Sequence, residues 1–437
     1  MSIDSITQAK ASISETAAYR TLSAFFDNGE FAPIANLAKS NDTYAEVVAG
    51  RGYVNDESVL AFAQNPDFCG GAMSKAQASK LLKIYDLALK TGTPVVGFYN
   101  SKGGRLDEGN AMLNGFGEVL NAASKLSGVV PQVSVILGDC IGTGALNAVS
   151  ADFVIATKDS RLSLDTTGKN SDIEYNAKNG IVNIVADDED EAIEKTRQLL
   201  TYLPSSNLDA ALWTEFEEIA PDVDGCLVKK TFDGDSVYKL TMDYGDNVRT
   251  VFASLEGRVQ GIVRTKGGKL SEADANKIAK FVRFCDAFSL PVVTFVDADG
   301  FEDIKSAAKV SSAYAEATTV KISVVIGKAI GSAYIALAGS GANADMVYAF
   351  PEAVISPVNP EAAILIADPD KLNVPVEEQT GVVEAYAKEN LGAEKAAENG
   401  YVDDVIAEDD LREVLIAANA MLGGKRVKTE AKKHSTI

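Results

Sequence analysis

Between residues 74 and 91 the apolar positions Leu81, Leu82, Ile84, Tyr85, Leu87, Ala88 and Leu89 fall on one broad stripe, which predicts an amphipathic helix. Gly92 and Pro94 end it, since glycine accepts the left-handed turn at a helix end and proline cannot continue the ladder. The unbroken apolar run from Val95 to Tyr99 then predicts a buried strand. A loop with Gly103 and Gly104, a helix over 108–127, a strand over 133–137, a small-residue turn and a short helix follow. Upstream, residues 5–25 read as one amphipathic helix, FFDNGEF (25–31) as a turn, and the stretches around 46–49 and 58–63 as strands. This alternation is the rhythm of crossover units in an α/β fold.

The pattern occurs twice. SKAQASKLLKIYDLALKTGTPVVGFYN (74–100) aligns without a gap on SEADANKIAKFVRFCDAFSLPVVTFVD (271–297), at an offset of 197 (271 minus 74). QVSVILGDCIGTGA (132–145) pairs with KISVVIGKAIGSAY (321–334), at an offset of 189 (321 minus 132). FDGDSVYKL (232–240) echoes FFDNGEF. Between the copies, residues 197–225 carry Pro204, Ser205, Ser206, Asn207, Pro221 and Gly225, the composition of a connector. Two like domains follow, over 1–225 and 226–437, the second closing with a polar stretch (367–381) and helices over 382–398 and 408–423.

Composition narrows the chemistry. Of 437 residues 46% are apolar, enough for a core in each domain, and 62 acidic against 41 basic side chains give a net charge of −21. That field disfavours nucleic acid and anionic membranes as partners. The N-terminus lacks a signal pattern and no apolar run reaches 18 residues, which predicts a cytoplasmic protein. Cys69, Cys140, Cys226 and Cys285 stand far apart and are expected to be buried free thiols, not a zinc or disulfide frame. The single histidine, His434, lies in a basic tail, so Ser/His and Cys/His catalysis and His-ligated metal sites have no local basis. Chemistry must then rest on carboxylates, hydroxyls, backbone amides or a cofactor, with no metal.

The two turns are the candidates. In each copy an apolar strand runs into a stretch of small residues, GDCIGTGA or GKAIGSAY, where the backbone can approach a ligand and the next helix presents free N–H groups. Two such turns provide two oxyanion holes for two oxygens that become negative in one reaction. Close helix-to-sheet packing is the competing explanation for one small-residue turn. Its recurrence favours a site.

GGAMSKAQASKLLKIYDLALKTGTPVVGFYNSKGGRLDEG, SGVVPQVSVILGDCIGTGA, FVRFCDAFSLPVVTFVD, AYAEAT and NGYVDDVIAEDDLR resemble the carboxyltransferase component of biotin-dependent acyl-CoA carboxylases, decarboxylases and transcarboxylases, over almost the whole chain. The resemblance implies two tandem crotonase-like domains of the ClpP/crotonase superfamily, built of repeated ββα units and assembled as a homo-oligomer between dimer and hexamer. It implies carboxyl transfer between carboxybiotin and a short-chain acyl-CoA such as acetyl- or propionyl-CoA. Carboxybiotin releases CO2, biotin takes the α-proton, and the thioester enolate captures the CO2, so no side-chain base is needed.

By the same resemblance Gly142 and Thr143 hold the thioester oxygen, and Ser332 and Ala333, beside Gly331, hold the biotin ureido oxygen. Lys102, Gly103, Gly104, Arg105 and Gly144 lie near the coenzyme A, with Lys102 or Arg105 meeting a phosphate or else merely solvated. Ile335 lines the acyl pocket. The holes face one another across a dimer in that family, so isolated monomers are expected to be inactive. Biotin belongs on a separate carrier protein and the ATP step on a biotin carboxylase, since no Met-Lys-Met sequence and no GxxxxGK[ST] loop occur.

The chain departs from the family at Lys102, Thr143 and Ser332, where glycine is usual, and in shortened loops over 298–310 and after Ser163. Two other readings stay open: the cytoplasmic subunit of a sodium-pumping decarboxylase with a membrane partner, and a non-catalytic paralogue that scaffolds an active carboxyltransferase.

Overall fold

The computed structural model describes residues 3–40, 43–44, 46–209, 220–223 and 225–427. The chain divides into two compact units, Met1–Leu212 and Trp213–Ile437. The expected tail bearing His434 and part of the expected connector lie outside the described residues.

In the first unit a sheet runs in the order Phe31–Pro33, Val47–Val54, Glu57–Gln64, Val95–Ser101, Gln132–Ile141, Phe153–Thr157, Ile184–Ala186. The second repeats it as Tyr238–Leu240, Val248–Leu255, Arg258–Thr265, Val292–Ala298, Lys321–Ile330, Met346–Ala349, Asp404–Val405. Each sheet opens with an antiparallel hairpin and continues parallel. The hairpin turns, Asn55-Asp56 and Glu256-Gly257, place both central residues at positive φ, the hand that matches strand twist. Helices Lys75–Thr91 and Glu272–Ala287 pack their apolar stripes onto these sheets, burying Leu81 and Ile84 in one unit and Ile278 and Val282 in the other. Each such side chain contributes about 1.5–3 kcal/mol.

Equivalent polar residues brace equivalent places. Ser74 and Ser271 cap the two helices, accepting from Gln77 N and Asp274 N. Arg197 donates to Phe25 O and Asp27 Oδ1, and Arg412 donates to Thr231 O and Asp233 Oδ1, so an arginine from a late helix ties down each FD turn. Buried Lys80 and Lys277 donate to Val47 O (2.8 Å) and Val248 O (2.9 Å), the first carbonyls of matching strands.

Several elements differ from expectation. Residues 5–25 form two helices, Ile3–Ser14 and Ala17–Phe25, because Thr16 turns extended and its hydroxyl caps the second. The strand expected over 133–137 continues to Ile141, since its second half finds a separate partner in Arg161–Ser163. Helix Glu189–Leu200 takes the first residues of the expected connector. The closing helix expected over 382–398 is two, Val376–Asn390 and Ala393–Glu398, with Gly392 between. Cys140 and Cys285 are buried, but Cys69 and Cys226 are exposed, because Cys69 opens the single helical turn Cys69–Gly71 and Cys226 precedes the short helix Leu227–Thr231 instead of lying on a core strand or long helix.

Two predictions follow from the duplication. Helix Lys75–Thr91 ends at Gly92 (φ 63°), while the corresponding Ser289 is held at φ 56° and is exposed. A left-handed serine is strained where glycine is not, so Ser289→Gly is expected to raise stability by about 0.5–1 kcal/mol, read from the urea midpoint. Burial, opposed by nearby Glu46, lowers the Lys80 ammonium pKa from 10.5 to about 8. Between those values the unfolded chain holds a proton that the folded chain has released, so stability rises with pH across the window. The stability advantage of wild type over Lys80→Met is therefore expected to widen between about pH 8 and pH 10.5, measured by denaturant titration.

Candidate active site

Both long strands end at a glycine with positive φ, Gly142 at 78° and Gly331 at 52°. Each gives its amide to the last residue of the short flanking strand: Gly142 N to Ser163 O and Gly331 N to Ser356 O, both at 2.8 Å. A Cβ at position 331 would lie 2.9 Å from Pro357 O, so the turn admits only glycine there. The strand ends are shaped from the other side as well. Asn100 and Asp297 sit at matching bulges, and their side chains occupy the space above Gly138 and Gly327. Gly103 (φ 114°) and Gly300 (φ 118°) carry the next loop across, each with an added Cβ placed 3.8 Å from the strand's last carbonyl, Ile141 O or Ile330 O.

Helix Thr143–Val149 starts directly after the first glycine, and residues 332–338 wind into a helical turn after the second. The first amides of such turns have no acceptor within the helix. Gly142 O takes Ala145 N and Gly331 O takes Ile335 N, while no acceptor meets the amides of Thr143, Gly144, Ser332 or Ala333 among the described residues. Thr143 is exposed and Gly144 half-buried. Ser332 is half-buried, whereas Ala333 is 0% exposed.

The two amides of the expected first pair differ in state. Gly142 spends its amide on Ser163 to hold the turn, and the free donors are those of Thr143 and Gly144. In the second copy the open donor is Ser332, with the amide of Ala333 occluded behind it.

The 102–105 loop separates the residues expected near coenzyme A. Gly103 O accepts Met73 N and Met73 O accepts Arg105 N, both at 2.8 Å, so the loop is stitched to the segment before helix Lys75–Thr91. A Cβ on Gly104 would fall 2.2 Å from Met112 Sδ. Arg105 is no open phosphate ligand: its side chain is 10% exposed and donates to Glu46 Oε1 at 2.9 Å and to both oxygens of Asp107. Glu46, fully buried, also accepts Ser74 Oγ at 2.5 Å. Lys102 is exposed and has no ion pair among the described residues, which leaves it as the available cation of this loop. Ile335 is 62% exposed, on the helical turn that begins with Ser332 and Ala333.

Three residues that position the site were not singled out from sequence. Ser163 and Ser356 end the short strands, and their recurrence at an offset of 193 (356 minus 163) was the available signal. Glu46 gave none, since an isolated acidic residue before a strand reads as surface.

A model of the carboxyl transferase domain matches residues 14–437. The chain belongs to the carboxyl transferase family. The carboxyltransferase subunit of propionyl-CoA carboxylase from Haloferax mediterranei is 32% identical over 439 residues, covering 90% of this chain and 85% of that one. The alpha subunit of methylmalonyl-CoA decarboxylase from Veillonella parvula is also 32% identical, over 437 residues, with 90% and 85% covered. The solved structure of transcarboxylase 12S, described as a hexamer assembly with hydrolysed methylmalonyl-coenzyme A bound, superposes with a TM-score of 0.88 at 30% identity over 98% of this chain and 93% of that one. The two units of this carboxyl transferase chain are thus tandem crotonase-like domains. Among their described residues no helix is long and apolar enough to cross a membrane.

The Glu46 ion pair allows a decisive substitution. Arg105→Ala leaves a buried carboxylate with, among the described residues, Ser74 alone as a side-chain hydrogen-bonding partner, and is expected to destabilise the first unit by about 3–5 kcal/mol in urea unfolding. Unchanged stability together with a raised KM for acyl-CoA would return Arg105 to phosphate binding.

Proposed function

We propose that this chain transfers a carboxyl group between carboxybiotin on a separate carrier protein and a short-chain acyl-CoA of the acetyl or propionyl class. The observation that carries the reading is the pair of equivalent turns, each pinned through its glycine amide and each left with free donors at the next residues. Such donors fit an oxygen that becomes negative, and a fixed backbone stabilises it without reorganising during reaction. The fit extends to biotin, whose ureido group presents one polarisable oxygen.

In this reading Thr143 and Gly144 hold the thioester oxygen while the α-proton leaves, and Ser332 holds the ureido oxygen. Carrier-borne carboxybiotin supplies the CO2 and, once it has lost it, the base for that proton. The proton from the acyl-CoA ends on biotin and the new C–C bond on the thioester, so the exchange balances with no further reactant. What the protein contributes is placement and charge stabilisation. Gly103 and Gly300 keep each strand end open to the ligand, and Lys102 meets a coenzyme A phosphate as a point charge. Ile335 sets an apolar wall that suits a short acyl group, and such a wall separates neighbouring chain lengths by only about 1–3 kcal/mol per methylene.

Direction depends on the partners, a biotin carboxylase or a membrane decarboxylase subunit, in a cytoplasmic homo-oligomer. The carboxylase and decarboxylase relatives are equally similar to this chain, which supports assigning direction outside it. Purified oligomer given methylmalonyl-CoA or malonyl-CoA is expected to release decarboxylated acyl-CoA only when free biotin or a biotinylated carrier is added, followed by chromatography of the acyl-CoA pool. Absence of turnover with either acceptor would leave the scaffolding paralogue as the better reading.

A further inference from the structure

We propose that Ser332 supplies both hydrogen-bond donors of the second turn, its amide and its hydroxyl, to the ligand oxygen held there. The inference rests on the carboxyl-transfer reading, in which that oxygen belongs to the cyclic urea of biotin. It gives a substituted glycine position a chemical task.

The two turns share a backbone but not an arrangement of donors. In the first unit Thr143 is exposed and Gly144 half-buried, and neither amide meets an acceptor among the described residues, so the backbone offers two donors. In the second unit Ala333 is 0% exposed, so the backbone alone offers the amide of Ser332. One donor is then missing. The Ser332 hydroxyl lies on the same residue, where a staggered χ1 places a β-hydroxyl roughly 3–4 Å from its own amide nitrogen. It accepts and donates nothing among the described residues, although Ser332 is half-buried.

Its place is beside the neighbouring loop. Ser332 Oγ stands 3.5 Å from the point that a Cβ on Gly300 would occupy, so it lies against that glycine at the end of the long strand. No atom of Thr143 comes within 4 Å of the matching point at Gly103, where only Ile141 O does. A second unsatisfied group stands beside the turn. Ser356, whose carbonyl holds Gly331, is 4% exposed, and its hydroxyl has no partner among the described residues. Buried hydroxyls are normally paired, so this turn carries more polar capacity than the fold uses. A hydroxyl rotates about one bond to meet its acceptor, and its bond to a charged oxygen is roughly twice as strong as to a neutral one. Ser332 thus serves the ligand most strongly when charge develops on the ureido oxygen.

The test compares Ser332→Ala, Ser332→Gly and Ser332→Thr in the assembled full chain, transferring carboxyl from methylmalonyl-CoA or malonyl-CoA to free biotin. Removal of one oxyanion donor typically lowers kcat about 100-fold. Ser332→Ala and Ser332→Gly are expected to show that loss with the acyl-CoA KM unchanged within about twofold, as the thioester sits at the other turn. Ser332→Thr, which keeps a hydroxyl, is expected to recover most of the rate. Ala or Gly variants as fast as wild type or faster would show that the hydroxyl only crowds the ligand, and would overturn the inference. So would equal losses in all three variants, which point to packing. Wild type without any transfer would instead overturn the carboxyl-transfer reading, and this inference with it.

Discussion

The hydrogen bond from a positive-φ glycine to the carbonyl of a three-residue strand organises each half of this protein. Gly142 to Ser163 and Gly331 to Ser356 stop the long strand at one residue and aim the chain into a helical turn. Because the glycine amide is consumed there, the donors that remain free are those immediately after it. The short strands Arg161–Ser163 and Val354–Ser356 thereby act on the site without touching a ligand.

The sheet supports this bond from beneath. Each long strand pairs along its first half with the next parallel strand and along its second half with the short one, so it bends away from the sheet plane near Gly138 or Gly327. Bulges at Asn100 and Asp297 fill the space left by those glycines and carry the flanking loop over the strand end. The arginine clamps at Asp27 and Asp233 and the buried lysines Lys80 and Lys277 fix the antiparallel hairpin at the far edge. Duplicated bracing of this kind preserves two similar turns while their surroundings diverge. Divergence is visible at the loop before each turn, where Gly104 in one copy faces Met112 and the matching position in the other is Phe301.

Buried charge near the first site shows why exposure cannot be assumed from residue type. Arg105 lies in a polar, glycine-rich stretch, yet its guanidinium is drawn inward by Glu46, which Ser74 also binds. A carboxylate removed from water needs such partners, and Glu46 finds them 59 and 28 positions further along the chain. Lys102, without such a partner among the described residues, keeps its charge at the surface.

The amino-acid sequence by itself determined the duplication, the α/β rhythm, the helix ends at Gly92 and Pro94, and the two small-residue turns, because these depend on local periodicity and on what glycine and proline allow. Membership of a carboxyltransferase family was legible in the long motif runs for the same reason. Tertiary structure alone decided that the Gly142 amide is spent on Ser163, that Ala333 is buried while Gly144 is half-buried, and that Arg105 faces inward. Each of those outcomes rests on a partner distant in sequence, Ser163, the packing around residue 333, or Glu46. Hydrogen-bond capacity is written in the sequence, but whether a donor is already spent is settled only when the chain brings its acceptor within 3 Å.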